Sequence, residues 1–277
     1  MEHFELEWKT FDGLAVYAQG WQPEQPKAVV CLVHGLGEHS GRYAHVGAFL
    51  SQAGYAVLSS DNRGHGKTGG KRGHSPSFEA FMKDIDLLLA EAGQRYPGLP
   101  CFLYGHSLGG ILVTNYVLRR KPALAGVVVT SPGLRTAIEK QKGKVLLSKV
   151  LGTLMPEMSI PTGLDAAAIS RDPVVVDIYK KDPLVHGVMT VGMAKCLVEG
   201  IGWGFEHAHE WQPPVLFMHG DQDQIAYVSG SQEFSAKIKG DCTLKVWAGL
   251  AHETHNEPEK EQVLAYLLGW LDAHLAK

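Results

Sequence analysis

A serine set between two glycines, Gly105-His106-Ser107-Leu108-Gly109, is the part of this sequence best suited to chemistry. It follows a short apolar run, Cys101-Phe102-Leu103-Tyr104, and precedes a helical one from Ile111 to Arg120. G-x-S-x-G at a strand-to-helix junction lifts a hydroxyl onto a sharp turn, and a turn that tight needs small neighbours on either side. The helix behind Ser107 would aim its positive end at the site, favouring the negative charge that grows during acyl transfer. Taken alone the motif is weak, and its weight comes from residues further along the chain.

A serine nucleophile needs a base, and the base needs an acid to orient it. Both residue types stand directly after later apolar runs. Pro214 to Met218 is followed by His219-Gly220-Asp221-Gln222-Asp223, and Thr243 to Trp247 by Ala248-Gly249-Leu250-Ala251-His252. Nucleophile, acid and histidine therefore come in the order Ser107, Asp223, His252. Asp223 lies deeper in its loop than Asp221 and is the preferred acid, which leaves Asp221 as a turn-former or helix cap. An oxyanion formed at Ser107 needs two backbone donors. The N–H of Leu108, just after the nucleophile, is one. The glycine-rich stretch His34-Gly35-Leu36-Gly37 offers the N–H of Leu36 as the other.

The elements that must hold these residues are visible as a rhythm. Residues 3–9 and 14–20 alternate around Asp12-Gly13, a hairpin signal. Ala28 to Val33, Tyr55 to Ser59 and Gly126 to Thr130 are apolar runs of the kind buried on both faces of a parallel sheet. Helical patterns over 42–53, ended by Gly54, and over 77–95 lie between them, and an amphipathic helix is expected over 256–275. Alternating strands and helices argue for the α/β class. From 134 to about 210 the strand pattern lapses, so that stretch is expected to be a helical cap inserted into one core built from 1–133 and 211–277.

Composition sets further bounds. With 277 residues and a net charge of −3, the chain is long enough for a sizeable core and nearly neutral. No basic block suggests a nucleic-acid partner. The four cysteines, Cys31, Cys101, Cys196 and Cys242, are widely spaced and read as free thiols. The histidines do not form a metal motif: His252-Glu253-Thr254-His255 has the wrong spacing and His207-x-His209 is isolated, so neither a metal nor another cofactor is expected. No apolar stretch reaches membrane-spanning length and no leader pattern opens the chain, so a soluble, cytoplasmic protein is expected.

Several longer stretches then become informative together. His34-Gly-Leu-Gly-Glu-His-Ser-Gly-Arg-Tyr43, Asp61-Asn-Arg-Gly-His-Gly66, Gly105-His-Ser-Leu-Gly-Gly110, and Ser170-Arg-Asp-Pro with Asp177-Ile-Tyr-Lys-Lys-Asp-Pro-Leu184 resemble the monoacylglycerol lipase family of α/β-hydrolases. The Asp223 and His252 loops align as well. The likeness covers nearly the whole chain and is weakest at 135–160 and 185–210. It implies a mostly parallel eight-stranded sheet flanked by helices, with an inserted helical cap. It also implies a cofactor-free serine hydrolase that splits monoacylglycerols into fatty acid and glycerol. Glu38, Arg42, Tyr179 and His255 match positions that the resemblance associates with the glycerol pocket. Each also has a plainer reading: Glu38 as a cap of the helix at 42–53, Arg42 as its surface partner, Tyr179 as cap core. Residues 144–155 form a broad apolar face ringed by Lys140, Lys142, Lys144 and Lys149, which suits transient contact with a membrane or micelle, or docking onto the core. Gly192, Gly200, Gly202 and Gly204 are candidate points of cap motion. Lysophospholipase, short-chain carboxylesterase and serine aminopeptidase activities share the same triad. A non-catalytic receptor on the same fold is disfavoured by the intact triad.

Overall fold

A computed structural model describes residues 1–137 and 151–275. Strands β1 (Glu2–Lys9) and β2 (Ala15–Gln22) form the expected hairpin. They are followed by β3 (Ala28–Val33), helix α1 (Ala44–Gln52), β4 (Tyr55–Ser60), α2 (Phe78–Arg95), β5 (Cys101–His106), α3 (Leu108–Arg120) and β6 (Gly126–Thr130). The chain continues through β7 (Ser159–Pro161), α4 (Pro173–Lys181), β8 (Val188–Thr190), α5 (Val191–His207), β9 (Val215–Gly220), α6 (Val228–Ser235), β10 (Cys242–Trp247) and α7 (Lys260–Ala273). The main sheet has eight strands in the order β1-β2-β4-β3-β5-β6-β9-β10. It is antiparallel at the β1-β2 and β2-β4 pairs and parallel from β4 onward. The resemblance's eight-stranded α/β-hydrolase architecture is therefore what the chain adopts.

Burial on both sides explains why the central strands are continuous apolar runs. On one face, Phe81, Ile85 and Leu88 of α2 and Ile111, Leu112 and Val113 of α3 pack against Val29, Cys31, Leu103 and Val127. On the other, Val46 and Leu50 of α1 and Val263, Leu267 and Leu271 of α7 cover Val30, Leu32, Phe102 and Val128. The strand order reverses between β3 and β5, and in open α/β sheets the crevice at the carboxyl ends beside such a switch is where ligands bind. The loops holding Leu36, Ser107, Asp223 and His252 all leave carboxyl ends of strands.

Several local expectations are corrected. Residues 134–210 are not purely helical: β7 and β8 pair antiparallel, Ile160 opposite Met189. A 3-10 turn over Ser40–Tyr43 precedes α1 and carries Arg42, and another over Thr254–Asn256 precedes α7. Ser77 caps α2, its hydroxyl accepting from the Ala80 N–H at 3.1 Å. The glycines of α5 are mostly packing sites. A Cβ on Gly200 would lie 2.4 Å from the Phe78 ring, and one on Gly192 would lie 2.7 Å from the Pro156 carbonyl oxygen, whereas Gly202 faces open space. Most of the apolar face expected at 144–155, with its lysines, lies outside the described residues. Its described end leaves Leu154 and Met155 exposed. Among the described residues no helix is long and apolar enough to cross a membrane, and all four cysteines are free.

These contacts predict opposite outcomes for two glycine-to-alanine changes. A Cβ on Gly109 would meet the Val33 carbonyl oxygen at 1.9 Å, whereas one on Gly202 meets nothing within 4 Å. Gly109→Ala is expected to cost about 3 kcal/mol or more, or to prevent folding, because backbone must move. Gly202→Ala, inside a helix, is expected to stabilise by about 0.5–1 kcal/mol. Thermal unfolding of both variants reads the contrast.

Candidate active site

Ser107 sits where β5 ends and α3 begins, with φ 51° and ψ −111°. A positive φ is costly for a residue with a Cβ, about 1–3 kcal/mol, and persists only where the surroundings enforce it. Here they do. The Ser107 N–H donates to the Thr130 carbonyl at 3.0 Å, and its carbonyl accepts from the Ile111 N–H at 3.2 Å and the Gly133 N–H at 3.3 Å. Gly105 and Gly109 let strand and helix close together: a Cβ on Gly105 would stand 2.3 Å from the Gly109 oxygen. The tight turn leaves the Ser107 hydroxyl facing the cleft.

A chain of hydrogen bonds runs back from that hydroxyl. Ser107 Oγ lies 3.0 Å from His252 Nε2, and His252 Nδ1 lies 2.7 Å from Asp223 Oδ2. With Nδ1–H donating to the carboxylate, Nε2 is left as acceptor for the serine proton. Asp223 is itself anchored. Its Oδ1 accepts from the backbone N–H groups of Ile225 at 2.8 Å and Ala226 at 2.9 Å. Its Oδ2 also faces His219 Nε2 at 3.1 Å, and Ser231 Oγ lies 2.8 Å from His219 Nδ1. Asp221 does not reach this chain. Its carboxylate accepts from the Gly249 N–H at 2.7 Å, so it ties the acid loop to the histidine loop.

Burial alone would raise the Asp223 carboxyl and lower the His252 imidazole. Their attraction and shared hydrogen bond override burial at both, so Asp223 is held well below the usual carboxylate range and His252 above the usual imidazole value. His106, 4.9 Å from His252 between ring centroids, follows the opposite rule. Burial first and the neighbouring His252 second push it down to about 3.

A cleft opens at Ser107 and His252, lined further by Leu36, Glu38, Leu164, Ile169, Tyr179, Ile225 and Glu253 among others. Leu108 is the first residue of α3, so its N–H is one of the donors that a helix start leaves without an intrahelical acceptor. Leu36 lines the same cleft from the loop after β3. Glu38 is buried and does not cap α1. Its Oε1 accepts from the Gly35 N–H at 2.7 Å and the Tyr43 hydroxyl at 2.8 Å, and its Oε2 pairs with Arg42 at 2.6 Å. Arg42 is not a surface residue. Its guanidinium spans Glu38 and Glu253, meeting both Glu253 oxygens at 2.6 Å, and it covers the Tyr179 ring at 4.7 Å. Of the four expected pocket residues, Glu38 and Tyr179 line the cleft and Arg42 packs behind them; the fourth is His255. It does not line the cleft but lies beneath it, stacked on Tyr43 at 4.8 Å and edge-on to His106 at 4.9 Å. Among the described residues no cluster of three or more potential metal ligands occurs.

The chain is similar to several known proteins. Residues 24–259 match the family described as serine aminopeptidase, S33. The chain is 38% identical over 267 residues to a monoacylglycerol lipase of Mycolicibacterium smegmatis, covering 95% of each protein. The human monoglyceride lipase is 32% identical over 253 residues, spanning 89% of this chain and 82% of that one. The crystal structure of Paleococcus ferrophilus monoacylglycerol lipase superposes with a TM-score of 0.85 at 35% identity, covering 99% of this chain and all of that one. Another relative, an uncharacterized abhydrolase domain-containing protein of Dictyostelium discoideum, is 40% identical, but the chain spans only 28% of its length.

The chain belongs to the monoacylglycerol lipase family of serine α/β-hydrolases.

In this hydrolase two residues around the site escaped sequence reasoning. Glu253 follows His252 directly, and its partner Arg42 is 211 positions away, so no local signal announced the pairing. His219 was visible only as part of the acid loop. Its place beside Asp223 comes from the i, i+4 return of that loop.

The electrostatics predict two distinct histidine titrations. His252 should protonate above the ordinary imidazole value of about 6.5, while His106, held down to about 3, stays neutral from pH 5 to 8. Replacing Asp223 with asparagine removes the attraction that overrides burial and should carry the His252 titration below about 6.5. Histidine-resolved NMR across that range checks both, and an unchanged His252 midpoint in Asp223→Asn would contradict the assigned cause.

Proposed function

We propose that this enzyme hydrolyses the carboxylic ester of monoacylglycerols to fatty acid and glycerol through an acyl-enzyme, with Ser107 as nucleophile, His252 as general base and acid, and Asp223 as the orienting carboxylate. The observation that carries the reading is the Ser107–His252–Asp223 chain at 3.0 and 2.7 Å, opening on a cleft walled by both apolar and polar side chains. The monoacylglycerol and monoglyceride lipases among the relatives support the substrate class.

In this reading the Ser107 hydroxyl gives its proton to His252 Nε2 as its oxygen attacks the ester carbon. The N–H groups of Leu36 and Leu108 receive the oxyanion. The alcohol leaves with the proton from His252, and water then repeats the sequence at the acyl-enzyme and frees the acid. Asp223 fixes Nδ1 as the protonated nitrogen and stabilises the imidazolium. Glu38, Tyr179 and, behind them, Arg42 form the polar wall that meets the glycerol; His255 supports it from below. Residues 134–210 act as the cap. The exposed Leu154, Met155, Leu164, Val174 and Ile178 all belong to that stretch, which supports contact between the cap and a lipid surface.

Ser107→Ala is expected to lower turnover on a monoacylglycerol by roughly 10³ to 10⁶. The two aspartates should separate: Asp223→Asn costs about 10⁴ in kcat, and Asp221→Asn costs about 1 kcal/mol of stability with activity kept within about threefold. Since only neutral His252 accepts the serine proton, kcat/KM should rise with pH along one limb whose midpoint lies above about 6.5. Fatty-acid release from monohexanoylglycerol measures all three. Equal losses for both aspartate variants, or a profile flat from pH 5 to 9, would refute the assigned roles.

A further inference from the structure

The guanidinium that a polar pocket of this kind could offer to a leaving group is already taken. Arg42 Nη1 donates to Glu38 Oε2 and to Glu253 Oε1, and Nη2 donates to Glu253 Oε2, each at 2.6 Å. A parallel two-bond pairing of this sort uses the same fork that would otherwise grip a phosphate or carboxylate. Glu253 is held on its other side as well, since the Asn256 side-chain amide donates to its Oε2 at 2.8 Å. All three charged side chains are nearly inaccessible, Arg42 at 7% and both glutamates at 4%.

The wall of the cleft differs from what lies behind it. Glu38 and Glu253 line the cleft beside Ser107 and His252, while Arg42 is not among the lining groups. Two carboxylates and one guanidinium give this trio a formal charge of −1 beside Ser107 and His252, with the two glutamates rather than Arg42 lining the cleft. An uncharged polyol can donate hydrogen bonds to that surface, and a cation is attracted to it. An anion near the ester meets repulsion in a poorly solvated wall and finds no free guanidinium among the described residues that line it. It could recruit Arg42 only by displacing Glu253, which would leave a buried carboxylate unpaired.

We propose that Glu253, by occupying the Arg42 guanidinium, makes the cleft selective for esters of uncharged or cationic alcohols and excludes esters whose alcohol carries an anion. The inference rests on the ester-hydrolase reading above and adds the charge class of the leaving group and the residue that sets it.

The test compares three esters of one short acyl chain that stay monomeric in solution: monohexanoylglycerol, hexanoylcholine and hexanoyl-glycerol-3-phosphate. The wild-type enzyme is expected to favour the first two over the third by about tenfold or more in kcat/KM, the scale of one unit charge at close range. Glu253→Gln keeps the shape but not the charge, and should narrow the neutral-to-anionic ratio by about tenfold. Glu253→Asp keeps the charge and should hold the ratio near the wild-type value. Each ratio is taken within one preparation whose competent sites are counted with a fluorophosphonate, so a loss of folded protein does not mimic a change in selectivity. Parity between neutral and anionic esters in the wild type, or a ratio unmoved by Glu253→Gln, overturns the inference and leaves the hydrolase reading standing. If Glu253→Gln yields no competent sites, the wild-type ordering decides alone. Failure of the wild-type enzyme on all three esters overturns the ester-hydrolase reading, and the inference with it.

Discussion

The site depends on a backbone constraint at Ser107. A non-glycine residue at φ 51° is disfavoured, yet here it turns the hydroxyl towards the cleft. Two close approaches enforce it, between Gly105 and the Gly109 carbonyl and between Gly109 and the Val33 carbonyl. Those contacts draw β3, β5 and the start of α3 into one rigid junction. The same junction brings the Leu36 loop, which leaves β3, up to Ser107. Sheet order does the rest: β9 and β10 lie on the same side of the switch as β6, so the loops carrying Asp223 and His252 reach Ser107 from one direction.

Around that fixed point, burial and charge are set against each other. Water is largely excluded, so each ionised group survives only with partners. Asp223 has two backbone N–H groups and two imidazoles. Arg42 has Glu38 and Glu253. His106 and His255 lack an anion of this kind in contact, and burial drives both towards the neutral form. His252 differs from these two, because Asp223 and, at longer range, Glu253 and Glu38 hold it above the ordinary value. The carboxylates of Glu38 and Glu253 thus raise the basicity of His252 besides setting the charge class proposed for the leaving group.

What could be read from the sequence was what the strands announce. Ser107, Asp223 and His252 each come after an apolar run, so their placement at one edge of a sheet needed only the α/β pattern. The central strands and α2 were legible for the same reason, as hydrophobic runs and a helical period. What escaped depends on contacts between distant residues. β7 and β8 are three residues each, one ending in Pro161, too short to show a period. Arg42 and Glu253 are ordinary charged residues until the fold joins them. The family resemblance assigns His255 to the pocket, but the residue lies in the 3-10 turn over Thr254–Asn256, beneath the site and against Tyr43. The glycines of α5 suggested motion by composition, and only the Phe78 and Pro156 contacts show that two of them are there for close packing.

The central claim is that the hydroxyl at this strained turn carries the acyl group during turnover. Rapid acid quench of the enzyme with monohexanoylglycerol, followed by mass spectrometry of its peptides, tests it most directly. The account predicts a hexanoyl adduct on the peptide containing Ser107, formed and lost within turnover and absent from Ser107→Ala. Acylation of a different residue, or fatty acid released at full rate by Ser107→Ala, would contradict it.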